Sequence, residues 1–223
     1  MRKAFDFNAE FGIPKELCCK NFNKIQISIH PDFSGIYICY KEAFKSLKTD
    51  LSIFTSSPKL YLWKDPNISG YTVANSFQWY LYFSKNMPEN IKLFIQPFPP
   101  EKEKIELLKK AASSEFIKFI SSFAHDVNRL NPQKLLRLIN THISSEVILT
   151  LNKENSYKPH ATMSLELLAK LLSQTRNQLN YRNKAIAKER QYVLDELEKN
   201  SELVQQLLNN PNYLLSPDQL WKL

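Results

Sequence analysis

The chain has 223 residues, 43% of them apolar and 23% charged, enough to bury a core without disulfide or metal staples and too apolar for a disordered polymer. No stretch approaches the roughly 18 uninterrupted apolar residues that a membrane span needs. The formal net charge of +8 and a pI of about 9.2 favour a polyanionic or acidic partner wherever the excess is clustered.

At the N-terminus two early cations precede Asp6, Asn8 and Glu10, which interrupt what would be the apolar region of an export signal. The expectation is a soluble, cytoplasmic protein. Cys18, Cys19 and Cys39 are odd in number and have no partner run at metal-ligand spacing, so they read as reduced or buried thiols. His30, His125, His142 and His160 are too scattered for a zinc site, and no metal or cofactor is expected.

From residue 25 the apolar residues alternate with a period of two. Ile25, Ile27 and Ile29 predict one strand, and after Pro31 to Gly35 the run IYICY predicts its hairpin partner. Residues 41–48 fit either a short helix or an extension of that hairpin. Leu60 to Trp63 predict a third strand, Asn67 to Gly70 a turn, Phe77 to Phe83 a fourth strand and Ile91, Leu93 and Ile95 a fifth. Short links between strands imply a mainly antiparallel sheet. Tyr37, Tyr80 and Tyr82 would then form a second aromatic face, used for base stacking or, more in keeping with the absence of interleaved arginines, covered by helices.

Of the 27 aromatic residues, 19 lie in residues 1–99, as do all three glycines, and Gln96-Pro97-Phe98-Pro99-Pro100 marks the change. The division expected is an aromatic-rich β-sheet domain over 1–99 and a helical domain over 100–223. Ile105, Leu108, Ala112, Phe116, Phe119 and Phe123 recur at three- and four-residue steps, which predicts a helix over 101–126. Asn131-Pro132 has the form of an N-cap followed by proline in the first turn and opens a second helix through Ile143. Residues 147–151 fit either a continuation of that helix or a short strand, and 152–160 read as a loop.

Ser164 is the expected cap of the next helix, LELLAKLL. Thr175-Arg176-Asn177-Gln178 then has the form of a capping box, in which the Thr hydroxyl and the Gln side chain satisfy each other's free backbone N–H groups. A short apolar helix, a turn at Ser173-Gln174 and a polar, basic helix together resemble a helix-turn-helix over 164–190. That resemblance implies DNA rather than RNA as partner, with the second helix in the major groove. Arg176, Asn177, Asn180 and Tyr181 would face bases, with Gln178 engaged in the cap, while Lys170, Arg182, Lys184, Lys188 and Arg190 hold phosphates. Residues 170–190 carry six cations against Glu189 alone, whereas residues 191–208 carry four carboxylates against Lys199.

The competing interpretation is one unbroken helix, since neither Gly nor Pro occurs between Pro159 and Pro211. Leu179, Ile186 and Val193, spaced by sevens, would pack it along a partner, although Arg182 and Arg190 fall on the same seam. No paired carboxylates, nucleophile with a base, G-x-S-x-G, H-E-x-x-H or phosphate-cradling glycine loop is present at usable spacing. His125-Asp126 are adjacent but would point about 100° apart on a helix. The expectation is an α+β protein without catalytic activity that binds nucleic acid as one subunit of a larger assembly. The alternative is an adaptor or scaffold whose β domain and long C-terminal helix engage other proteins or self-associate.

Overall fold

The computed structural model describes residues 6–17, 25–48, 59–84, 91–199 and 202–210. In chain order they form α1 (Phe7–Phe11), β1 (Lys15–Leu17), β2 (Ile27–Ile29), α2 (Ser34–Phe44), β3 (Lys59–Lys64), β4 (Tyr71–Val73) and α3 (Phe77–Phe83). Then follow β5 (Lys92–Pro97), α4 (Lys102–Ser122), α5 (Pro132–His142), α6 (Ser145–Glu154), α7 (Leu165–Leu171), α8 (Arg176–Glu198) and α9 (Glu202–Asn209). The architecture is α+β, with the strands in the N-terminal half, and no described helix is long and apolar enough to cross a membrane.

The sheet is mixed rather than mainly antiparallel. Its order is β1-β5-β3-β4-β2; β5 and β3 run parallel, as do β4 and β2, while β1 with β5 and β3 with β4 are antiparallel. Two of the five expected strands are helices, which removes the hairpins that would have made every pairing antiparallel. IYICY lies inside α2, where Ile36, Cys39, Tyr40 and Ala43 are buried at helical spacing. A strand would have placed Ile38 beside Ile36 and Tyr40, yet Ile38 is 43% exposed. A 3-10 turn over Pro31–Phe33 leads into this helix, and His30 caps that turn, its Nδ1 accepting the Asp32 N–H at 3.3 Å.

Residues 77–83 likewise form α3. The run FQWYLYF has no polar contrast from which a period could be read, and contacts outside it decide the matter. Ser76, at φ 54°, turns the chain into the helix, and its N–H donates to Glu115 on α4 at 2.9 Å. Tyr37 and Tyr80 therefore sit on helices 6.1 Å apart and pack edge to face; with Tyr82 they form no second face of the sheet.

Two strands, β1 and β4, escaped the sequence pattern because three residues are too few to show alternation. The central strand β3 sends Leu60 and Leu62 to one side and Tyr61 and Trp63 to the other. Tyr61 stacks on Phe94 of the neighbouring β5, while Trp63 meets Phe7, Phe11 and Phe98. Phe98, just beyond β5, stacks on His30 with centroids 3.9 Å apart. That histidine's Nε2 also donates to Asp65 at 3.2 Å, so it is consumed in joining β2 to the β3–β4 turn.

The C-terminal expectations fare better. α4 buries Leu108, Ala112, Phe116, Phe119 and Ile120 along one stripe, and Asn131 caps α5 by accepting the Lys134 N–H at 3.0 Å. VILTL belongs to α6, so the expected loop begins only after Glu154. Tyr40 of α2 packs on Phe116 and Phe119 at 5.0 and 5.1 Å, and buried residues on both sides of Pro99-Pro100 belong to one core. Cys39 is a free, fully buried thiol whose pKa burial pushes up to about 12. Cys18 and Cys19 lie outside the described residues, as do Ser216-Pro217, which read as the opening of a terminal helix, and Trp221.

Candidate nucleic-acid interface

The chain does turn at Ser173. Ser164 caps α7 by accepting the Leu167 N–H at 3.1 Å. The helix ends when Ser173, at φ 53°, donates its N–H to Lys170 O (3.1 Å) and Gln174 donates to Ala169 O (2.9 Å). This pair of bonds is a Schellman closure, which satisfies the free carbonyls of the last turn and needs a left-handed residue at the position Ser173 occupies.

The following residues restart the helix by the expected reciprocal cap. The Thr175 N–H donates to Gln178 Oε1 at 2.7 Å, and the Gln178 N–H donates to Thr175 Oγ1 at 3.2 Å. Because glycine adopts positive φ without a Cβ penalty, Ser173→Gly is expected to raise stability by up to about 1 kcal/mol. On a straight helix the same change would cost about 1 kcal/mol, so the sign of the shift in a denaturant melt tests the turn directly.

α8 packs against α7, α5 and the 3-10 turn at Val127–Arg129. Of the seven-spaced residues Leu179 alone is fully buried, Ile186 and Val193 being half-buried. Two polar residues supply the rest of the anchor. Arg182 donates from Nε to Leu130 O at 3.2 Å and pairs through Nη1 with Glu189 at 3.1 Å. Asn183 accepts the Gln133 N–H at 3.1 Å, supplying a free donor in the first turn of α5 with a partner alongside the Asn131 cap. Arg182→Met should therefore cost about 1 to 3 kcal/mol of stability by leaving Leu130 O without this donor, measurable by urea unfolding.

The other expected contact residues stay on the surface. Lys170, Arg176, Asn177, Tyr181, Lys184, Lys188 and Arg190 are exposed and Asn180 is half-buried. Gln178 is exposed and engaged in the cap. Asn177, Tyr181, Lys184 and Lys188, spaced by four, three and four, fall within roughly 60° around the helix axis. Asn180 and Arg176 lie on one side of that stripe, and Tyr181 is 77% exposed. Among the described residues, no ion pair involves Lys170, Arg176, Lys184, Lys188 or Arg190.

Residue-type motifs gave no sign of the anchoring role of Asn183, which depends on where α5 begins, fifty residues earlier. They were equally silent on a buried pair elsewhere: Ser46 Oγ lies 3.0 Å from His125 Nδ1 and donates to Ala43 O at 2.9 Å. Both side chains are buried and His125 Nε2 makes no hydrogen bond among the described residues, so the pair joins the ends of α2 and α4 away from solvent. Glu42, also buried, is held by Lys45 at 2.9 Å and Lys134 at 3.0 Å. These two lysines keep its carboxyl below the ordinary pKa against the opposing effect of burial. Comparison with protein-family models, with curated proteins and with solved structures finds no match for the chain.

Proposed function

We propose that this protein binds nucleic acid, duplex DNA in the first place, through the solvent side of the α7–α8 unit and without catalysis. The reading rests on one observation: after the turn at Ser173, a helix anchored on one side leaves Arg176, Lys184 and Lys188 exposed and, among the described residues, outside any ion pair, beside Asn177 and Tyr181. Cations so placed meet phosphates and release counterions, while the amide and phenol can reach base edges. Lys170 and Arg190 extend the basic surface at its margins. Arg182 acts as the residue that positions the helix.

Titration of a fluorescein-labelled duplex by anisotropy, repeated between 50 and 200 mM salt, tests this. Five phosphate contacts would give a slope of log K against log salt of about −4.5. Absence of binding at the lowest salt overturns the reading.

The C-terminal part of the same helix favours a second reading, an adaptor that docks on another protein or on itself. There Tyr192, Leu194 and, on α9, Leu208 are 39%, 51% and 69% exposed. Light scattering distinguishes the two: the adaptor reading expects Leu194→Glu with Leu208→Glu to change oligomeric mass, and the nucleic-acid reading expects the duplex titration to be unaffected by them.

A further inference from the structure

A second region, remote in sequence from α8, has the make-up of a ligand pocket. A cavity of about 200 Å³ opens where α1, the end of β5, the residues after β4 and α4 meet, lined by Phe7, Tyr61, Asn75, Gln96 and Glu115 among others. Among the described residues Glu115 is its only charged lining residue, and no described lysine, arginine or histidine lines it. One carboxylate oxygen accepts the Ser76 N–H at 2.9 Å, which fixes the side chain and leaves the other oxygen without a partner among the described residues. Burial raises the Glu115 pKa above the ordinary carboxylate value, against the lowering pull of the Ser76 N–H and of Lys118.

The amides are oriented by their other bonds. Gln96 donates its side-chain N–H to Gly12 O at 2.9 Å, leaving its carbonyl oxygen as the remaining acceptor. Asn75 accepts from the indole N–H of Trp63 at 3.0 Å, leaving its amide N–H groups as donors. Tyr61, backed by Phe94, and Phe7 supply aromatic surface. An anion entering here would find a carboxylate in the wall and, among the described lining residues, no cation beside it. A cation would find a carboxylate, an amide carbonyl and two rings, the combination that favours ammonium and guanidinium groups.

We infer that this cavity is a binding site for a small organic cation, an alkylammonium or alkylguanidinium compound held by Glu115 and Gln96 against Tyr61. The site is independent of the α8 surface. Its carboxylate pairs with the cationic head, and the Asn75 amide remains for an oxygen on the ligand.

Calorimetric titration of the full chain with agmatine and with n-butylammonium, beside the neutral isostere n-butylurea, tests this assignment. At least one cation should bind saturably and n-butylurea should not. Glu115→Gln, which keeps an acceptor for the Ser76 N–H, should weaken the cation at least tenfold, and Tyr61→Leu should weaken it too. In the wild type, agmatine should shift the NMR signals of the Ser76 backbone N–H and the Gln96 side-chain amide, a readout that holds even where a variant fails to fold. Absence of saturable binding, binding indifferent to Glu115→Gln, shifts confined to other residues, or preference for n-butylurea would each overturn the inference.

Discussion

Replacing Arg176, Lys184 and Lys188 together by glutamine is expected to lower duplex affinity by roughly 500-fold at about 0.1 M salt. The counterion-release relation sets this size: three lost phosphate contacts remove about 2.7 from the log–log slope, with smaller losses at higher salt. The side chains are exposed and make no ion pair among the described residues, so the folded state should lose little. Thermal melting of the variant should stay within a few degrees of the wild type while the salt slope falls from about −4.5 to about −1.8. Arg182→Met should behave in the opposite way, with a clear loss of stability for a modest change in slope, because its guanidinium is committed to Leu130 O and Glu189. A triple variant that binds as tightly and as salt-sensitively as the wild type would remove α8 as the interface.

The second large effect is on stability against pH. His125 is buried, and desolvation pushes its pKa down to about 4 from 6.5, against the opposing pull of backbone groups at Ile120 and Ala43. In the unfolded chain the imidazole takes up a proton near pH 6.5, whereas in the folded chain it resists until about pH 4. Its stabilising effect is therefore complete above 6.5 and is lost as pH falls through that window. Between pH 7.5 and 4.5 the loss should be about 2.5 kcal/mol, with the folded state weaker at the acid end.

His125→Asn keeps a polar group near Ser46 but does not titrate. It should cost stability at pH 7.5 and flatten the acid slope, as judged by urea unfolding at both pH values. Glu42, whose pKa is lowered, contributes acid sensitivity of the same sign near and below the ordinary carboxylate range; Glu115, whose pKa is raised, opposes it. The diagnostic quantity is thus the difference between wild type and variant across pH 7.5 to 4.5. Equal acid slopes for the two proteins would count against a buried neutral imidazole.

How far the sequence reaches differs between the two halves, and the reason is physical. In the C-terminal half each helix carries its own punctuation: Asn131 before Pro132, Ser164 before an apolar run, and Thr175 paired with Gln178. All three caps form as read, because a capping bond closes within three residues and owes little to distant contacts. The question left open at Ser173 was a close competition. A serine at positive φ is mildly unfavourable, and only the two Schellman bonds together with the burial of Leu172 and Leu179 on either side of the turn make it worthwhile.

In the N-terminal half, local pattern and tertiary outcome part company. IYICY alternates by composition and is helical by burial, and FQWYLYF, apolar or aromatic at six of seven positions, has no side that must face water. Such segments take the conformation that the core around them accepts: α2 follows a 3-10 turn capped by His30, and α3 opens at Ser76, held by Glu115. The parallel pairs β2 with β4 and β3 with β5 join strands that are not consecutive in the chain, each pair being separated by one intervening antiparallel strand and one helix.

What the sequence determined by itself was everything carried by short-range chemistry: the α+β composition, the caps that open α5, α7 and α8, and the clustering of positive charge over 170–190. What only the tertiary structure decided was which of those charges are free, that Arg182 and Asn183 secure α8 to the start of α5, and that Glu115 meets Asn75 and Gln96 around one cavity. These are contacts between residues twenty to fifty positions apart, where chain geometry and burial, rather than any local preference, set the free energy.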